Sequence, residues 1–232
     1  MTSLKTTVIA IDGPAASGKT SVGKIIAEKL NFNFLDTGIM YRAITYAALD
    51  SSVDFKQKTT VSEFIDNLNL QIIFDDSRDL KITFNDIDIS KSLHSIEIDQ
   101  NVSYYSSFKE IRDYLVEQQR EIASYDNTVM VGRDIGSVVV PDSLKIFLTA
   151  SISERAKRRH KELVDSGVSA ELNEIESELE RRDELDTKRK ESPLVIASDA
   201  TIVVSDGMML EGVVSFILNN ICLLYTSDAA DE

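Results

Sequence analysis

The chain reads as an α/β protein: a mostly parallel sheet of about five strands covered by helices on both faces, three layers in all. Two patterns predict this. Short β-branched apolar runs alternate with stretches of helical period, from TTVIAI at Thr6–Ile11 to TIVVS at Thr201–Ser205. Strand–helix–strand connections of this kind need right-handed crossovers and bury a parallel sheet on both sides. The first run also ends in a glycine-rich turn that opens the first helix. The 232 residues, 43% hydrophobic and 28% charged, are enough for one large domain or for a core domain with a small insert.

Each element has its own reason. Thr6–Ile11 is a buried strand by its β-branched content. Lys19–Leu30 places Val22, Ile25, Ile26 and Leu30 on one helical face, and Gly38–Leu49 repeats the period. Leu70–Phe74 and Lys81–Ile89 alternate and are separated by DDSRD and NDID turn chemistry. They predict a small antiparallel insert over 55–95. Phe108–Ser124 returns to helical period. Thr128–Val131 and Leu144–Ala150 are apolar strands, and Thr201–Ser205 is the last. Ser151–Lys190 is one long charged helical region, opened by the S-x-x-E box Ser151–Glu154 and ended by Ser192-Pro193. Met209–Asn220 is an amphipathic helix.

Charge excludes some functions. A net −14 argues against broad binding to nucleic acid or to anionic membrane, since both need a positive field. No apolar run reaches the roughly 20 residues of a membrane span, and MTSLKTTVIAIDG is not an export signal. One cysteine allows no internal disulfide. The expectation is a cytoplasmic protein with small-molecule partners, working as a monomer. The last segment, Cys222–Glu232 (CLLYTSDAADE), shares no period with the helix before it and resembles translated adapter sequence. It is expected to be a non-native tail. Without Asp228, Asp231 and Glu232 the chain remains strongly acidic.

The strongest motif is GPAASGKT at Gly13–Thr20, a full match to the G-x-x-x-x-G-K-[ST] phosphate loop, after a strand and opening a helix. Gly13, Pro14, Ala15, Ala16, Ser17, Gly18, Lys19, Thr20 and Ser21 then cradle a nucleoside triphosphate. Backbone amides and the helix terminus attract the anion. Lys19 reaches the β- and γ-phosphates, and Thr20 offers its hydroxyl to Mg²⁺.

What receives the phosphate is a second question. VMVGRDIGSVV, Val129–Val139, sets Arg133 beside Asp134 at the exit of an apolar strand. That pair suits a structural ion pair, or a ligand anionic at one point and amino-bearing at another. Arg155, Arg158 and Arg159 share a helical face, as do Arg182, Asp186 and Arg189, and Arg42 follows LDTGIMY. Each helical set taken alone is more simply a solvated charged face. No general base is evident: His94 and His160 read as ordinary turn or surface residues. Arginine abundance without a base suits an acceptor that is itself an ionised phosphate. A P-loop nucleotide switch with no small acceptor is the other reading.

The P-loop, LDTGIMYR, VGRDIGSVVVPD, LKIFLTAS, ERAKRR and ERRDELDTKR, in this order and spacing, resemble the bacterial cytidylate (CMP) kinase family over about residues 4–220. The resemblance implies a P-loop core (1–54 and 96–221), a β-rich nucleoside-monophosphate-binding insert at 55–95, and a helical lid within about 151–190. It implies transfer of the ATP γ-phosphate to CMP or dCMP with Mg²⁺. Carried over by motif, Arg42, Arg133 and Arg189 hold the acceptor phosphate with Arg182 beside it. Lys19, Arg133, Arg182 and Arg189 make the catalytic set. Ser103 and Arg112 contact cytosine, and Asp186 the ribose. Asp134 accepts from the exocyclic amine or, alternatively, supports Mg²⁺ through water. Thr37 stands where many relatives have serine. Tyr41 packs under the nucleoside or simply into the core. Arg155 and Arg159 lie on the ATP side, in the lid. A related kinase acting mainly on UMP remains a further alternative.

Overall fold

A computed structural model describes residues 6–53, 55, 58–75, 78 and 80–228. Its central sheet has five strands: β1 (Val8–Asp12), β2 (Asn33–Asp36), β6 (Thr128–Gly132), β7 (Leu144–Thr149) and β8 (Thr201–Val204), in the order β2-β6-β1-β7-β8. β1 pairs with β7 in parallel, Ile11 opposite Ile146, and β7 pairs with β8 in parallel, Leu148 opposite Val203. All five residues of β1 and all five of β6 are buried, which is why both read as unbroken apolar runs rather than alternating ones. Each fully covered isoleucine, such as Ile9 or Ile11, contributes about 1.5–3 kcal/mol.

The described residues divide into two compact units, Thr6 with 33–128, and 7–32 with 129–228. In the first, α2 (Thr37–Asp50) packs against α4 (Ile96–Tyr105) and α5 (Lys109–Tyr125), and α3 (Lys58–Asp66) packs on α5. A three-stranded antiparallel sheet, β3 (Leu70–Phe74), β4 (Leu80–Phe84) and β5 (Ile87–Asp88), is followed by a 3-10 turn at Ser90–His94. Phe55 sits against Phe64, Tyr105 and Phe108, ring centroids 5.2–5.5 Å apart. Part of the DDSRD turn falls outside the described residues. The antiparallel pairing expected between 70 and 89 is present, and NDID makes the turn into β5. Three further elements lie where the sequence showed none: α3, α4 and the strand β2.

In the second unit α1 (Lys19–Leu30) packs on α8 (Leu210–Asp228), and α6 (Ile152–Asp165) on α7 (Leu172–Lys188). α1 has the expected bounds and closes on Asn31, which takes the left-handed conformation at φ 57° and returns its N–H to Ala27 and Glu28. The charged helical region expected over 151–190 consists of two helices. Gly167, at φ 78°, turns the chain between them. α8 outruns the expected Asn220 and includes the backbone of the first seven residues of the expected tail; residues 229–232 lie outside the described residues. No helix among the described residues is long and apolar enough to cross a membrane.

Candidate nucleotide site

The phosphate loop sits at the carboxyl end of β1. Gly13 approaches β7 so closely that a Cβ there would stand 2.0 Å from the Leu148 carbonyl oxygen, at a φ of 152°. No side chain fits. Gly18 at φ 92° and Ala16 at φ 57° complete the curl. Lys19 is buried, and its Nζ donates to the Pro14 carbonyl at 2.7 Å and to Ser17 Oγ at 3.3 Å. Thr20 and Ser21 are exposed in the first turn of α1, whose N-cap residue is Gly18. The helix N-terminus is a place for an anion.

Arg133 and Asp134 leave β6 at the same edge. Asp12, the last residue of β1, fixes this: its two carboxylate oxygens accept from the Ile135 and Gly136 amides at 2.9 and 2.8 Å. Burial pushes the Asp12 carboxyl up from its ordinary 3.8, Gly136 and Ile135 pull it down by hydrogen bonding, Asp134 adds to the rise and Lys19 opposes it. Beyond these amides the chain makes one π-helical turn, Ile135–Val139, with Val138 and Val139 both donating to the Asp134 carbonyl. Asp134, at the head of this turn, is 4% exposed.

Four of the expected acceptor residues come together in this unit. Arg133 Nε donates to Asp186 Oδ2 at 2.8 Å. Arg189 approaches the other Asp186 oxygen at 3.5 Å and Asp134 Oδ1 at 3.7 Å, and its Nε donates to the Ser192 carbonyl at 2.6 Å. Asp186 therefore bridges two guanidiniums. Arg182 is half-buried on the same helix α7, one turn before Asp186.

The remaining acceptor residues lie in the first unit. Thr37 is buried at the start of α2, whose cap is Asp36, accepting from the Gly38 amide at 3.0 Å. Arg42, one turn further, pairs with Asp99 at 2.5 Å and donates to the Leu93 carbonyl at 3.1 Å. Arg112 is 3% exposed on α5; it donates to the Ser106 carbonyl at 3.3 Å and lies over the Tyr41 ring, 5.1 Å from its centroid. Tyr41 thus supports an arginine with its face. Ser103, on α4, is half-buried, and its carbonyl accepts from Ser106 Oγ.

The α6 arginines do unequal things. Arg159 is 40% exposed and pairs with Glu162 at 3.1 Å. Arg158 reaches the Ser17 carbonyl at 3.4 Å and both the hydroxyl and the carbonyl of Ser205, at 3.0 and 2.8 Å. Arg155 is buried, with all three nitrogens engaged by protein: Ala150 carbonyl, Ala15 carbonyl and Asp183. The spacing that marked these arginines as one face does not tell the buried one from the exposed one. Half of the predicted capping box forms. Ser151 Oγ accepts from the Glu154 amide at 3.3 Å, but the Ser151 amide donates to Asp206, and Glu154 turns to Arg158.

The sequence reading missed Asp12, Asp99, Asp183 and Asp206. Only Asp12 carried a local signal, an acid between a buried strand and the phosphate loop.

The family description "Cytidylate kinase" matches residues 9–222. The chain belongs to the cytidylate kinase family. Its similarity to curated cytidylate kinases extends over most of both chains: 43% identity with that of Alkaliphilus oremlandii, covering 91% of this chain and 95% of the relative. The cytidylate kinase of Carboxydothermus hydrogenoformans is 42% identical over 90% and 95%. Among solved structures, a gluconokinase from Sinorhizobium meliloti matches with a TM-score of 0.52 at 16% identity over 97% of each chain, which supports the α/β fold alone.

Proposed function

We propose that this chain transfers the γ-phosphate of ATP to CMP or dCMP, giving CDP or dCDP and ADP, in the cytoplasm and as a monomer. The observation that carries this is the Arg133–Asp186–Arg189–Asp134 cluster in a cytidylate-kinase-family chain whose Asp12 ties the β6 exit to the phosphate loop. Two guanidiniums beside two carboxylates suit a ligand with a phosphate at one end and hydroxyl and amine donors at the other. On this reading Arg42, Arg133, Arg182 and Arg189 hold the acceptor phosphate. Asp186 accepts from the ribose. Asp134 accepts from the cytosine amine and repels the uracil carbonyl. Ser103 and Arg112 bind the base, and Thr37 and Tyr41 line the nucleoside.

An acceptor phosphate oxygen attacks the γ-phosphorus as the bond to the bridging oxygen of ADP breaks. The acceptor is already ionised, so no general base is needed and the arginines and Lys19 offset the crowded negative charge. Arg159 acts from the ATP side, and Arg155 does so by its hold on the loop backbone. The exposed Thr20 hydroxyl in the first turn of α1 is a hard oxygen donor of the kind Mg²⁺ takes. It would hold the ion, which would supply neutralisation of the triphosphate's charge. The switch alternative is not favoured, since it leaves this acceptor cluster without a task. Coupled assays of ADP release with CMP, dCMP, UMP, AMP and GMP test the proposal. CMP and dCMP should turn over fastest, and equal rates with AMP or GMP would defeat it.

A further inference from the structure

We infer that Arg155 and Asp183 form a positioning pair through which the donor loop and the acceptor helix α7 sense one another; this rests on the function proposed above. Both backbone polar atoms of Ala15 in the phosphate loop, its N–H and its carbonyl, are held by this pair. The Ala15 amide donates to Asp183 Oδ1 at 3.4 Å, and Arg155 Nη1 donates to the Ala15 carbonyl at 3.0 Å. The pair closes on itself, Arg155 Nη2 to Asp183 Oδ2 at 2.6 Å, with Arg155 Nε on the Ala150 carbonyl at the end of β7. Ala15, Ala156, Ile175 and Leu179 also form one buried apolar cluster, with Ala16 packed alongside, so both α6 and α7 seat on the loop.

Asp183 lies one turn before Asp186 on α7, and Asp186 holds Arg133 and Arg189. One rigid helix therefore carries a carboxylate on the donor loop and another on the acceptor guanidiniums. Residues three apart in a helix rise together by about 4.5 Å along the axis, so α7 cannot shift at one carboxylate and stay fixed at the other. A triphosphate that changes the backbone at Ala15 alters the hold of Asp183, and α7 passes the change to Arg133 and Arg189. Coupling between sites requires such a contact, whose strength differs between the two states.

The test is calorimetric, on the whole chain. The non-hydrolysable analogue adenylyl imidodiphosphate, with Mg²⁺, is titrated with and without saturating CMP. In the wild type CMP is expected to change analogue affinity by about fivefold or more, the usual lower bound for coupled sites. Asp183→Asn keeps an acceptor for the Ala15 amide but loses the charge facing Arg155, and should bring the factor below about twofold. CMP affinity measured alone should stay within about threefold of wild type, which simple loss of structure would not leave intact. Arg155→Lys should do the same, and the double variant should be no worse than either single one. A wild-type factor of one, wild-type coupling in Asp183→Asn, or additive single effects would each overturn the pair's role. If Asp183→Asn does not melt cooperatively, Arg155→Lys decides by the same readings. A wild type that binds no CMP would instead overturn the functional reading, and the pair's role with it.

Discussion

At the scale of single residues, acids organise the arginines. Asp134→Ala is expected to narrow the CMP-to-UMP preference. A site built around one such polar bond can discriminate by roughly 10⁴, and the ratio of kcat/KM values for the two substrates measures the loss. An unchanged ratio would remove Asp134 from base reading. Arg133→Ala should lower kcat by about 10³-fold or more, within the range of a charge-stabilising arginine in phosphoryl transfer, while the melting temperature holds; single-turnover rates report it. For Asp12 the folded state holds its proton to higher pH than the unfolded chain does, because burial raises its pKa. Its contribution to stability is then fully present below the ordinary 3.8 and is lost as pH rises through the folded value. Denaturant melts of the wild type and of Asp12→Asn should differ by a term that falls across that window; a flat difference would contradict the assignment. The arginines and the loop were legible in the sequence because their motifs are contiguous. Asp99, Asp183 and Asp206 were not, because an acid's importance here depends on which backbone amide or guanidinium the fold brings to it, and spacing does not encode that.

Among the elements, periodicity carried the reading where a helix has one apolar face. α1, α2 and α5 appear within two residues of their expected ends. It failed where the pattern was too short to repeat: NFLD in β2 has four residues, and α3 has nine. Within the charged region over 151–190 it marked no internal boundary, and Gly167 supplies the turn there. α6 and α7 carry the arginines expected of a lid. Hydrogen exchange across Ile152–Lys188 should slow when ATP analogue and CMP bind together, because closure excludes water from the γ-phosphate. Indifference to both nucleotides would rule closure out. Ser151→Ala, which removes the α6 cap, should cost about 1 kcal/mol in a denaturant melt.

For the whole molecule, the fold class was legible because alternation of strand and helix leaves few arrangements open. Its two-unit partition was not, since nothing in the composition marks residue 33 or 128. Deleting Cys222–Glu232 should leave kcat/KM for CMP within about twofold, and a larger loss would mean that the segment belongs to the working protein. Arg158 fastens the loop at 13–20 to Ser205, and Ser151 fastens α6 to Asp206, so the glycine-rich turn is braced by residues that leave the ribosome long after it does. At roughly 5–20 residues per second, the nascent turn waits about ten to forty seconds for those braces, and the anion cradle gains its folded contacts only once Ser205 and Asp206 have been made.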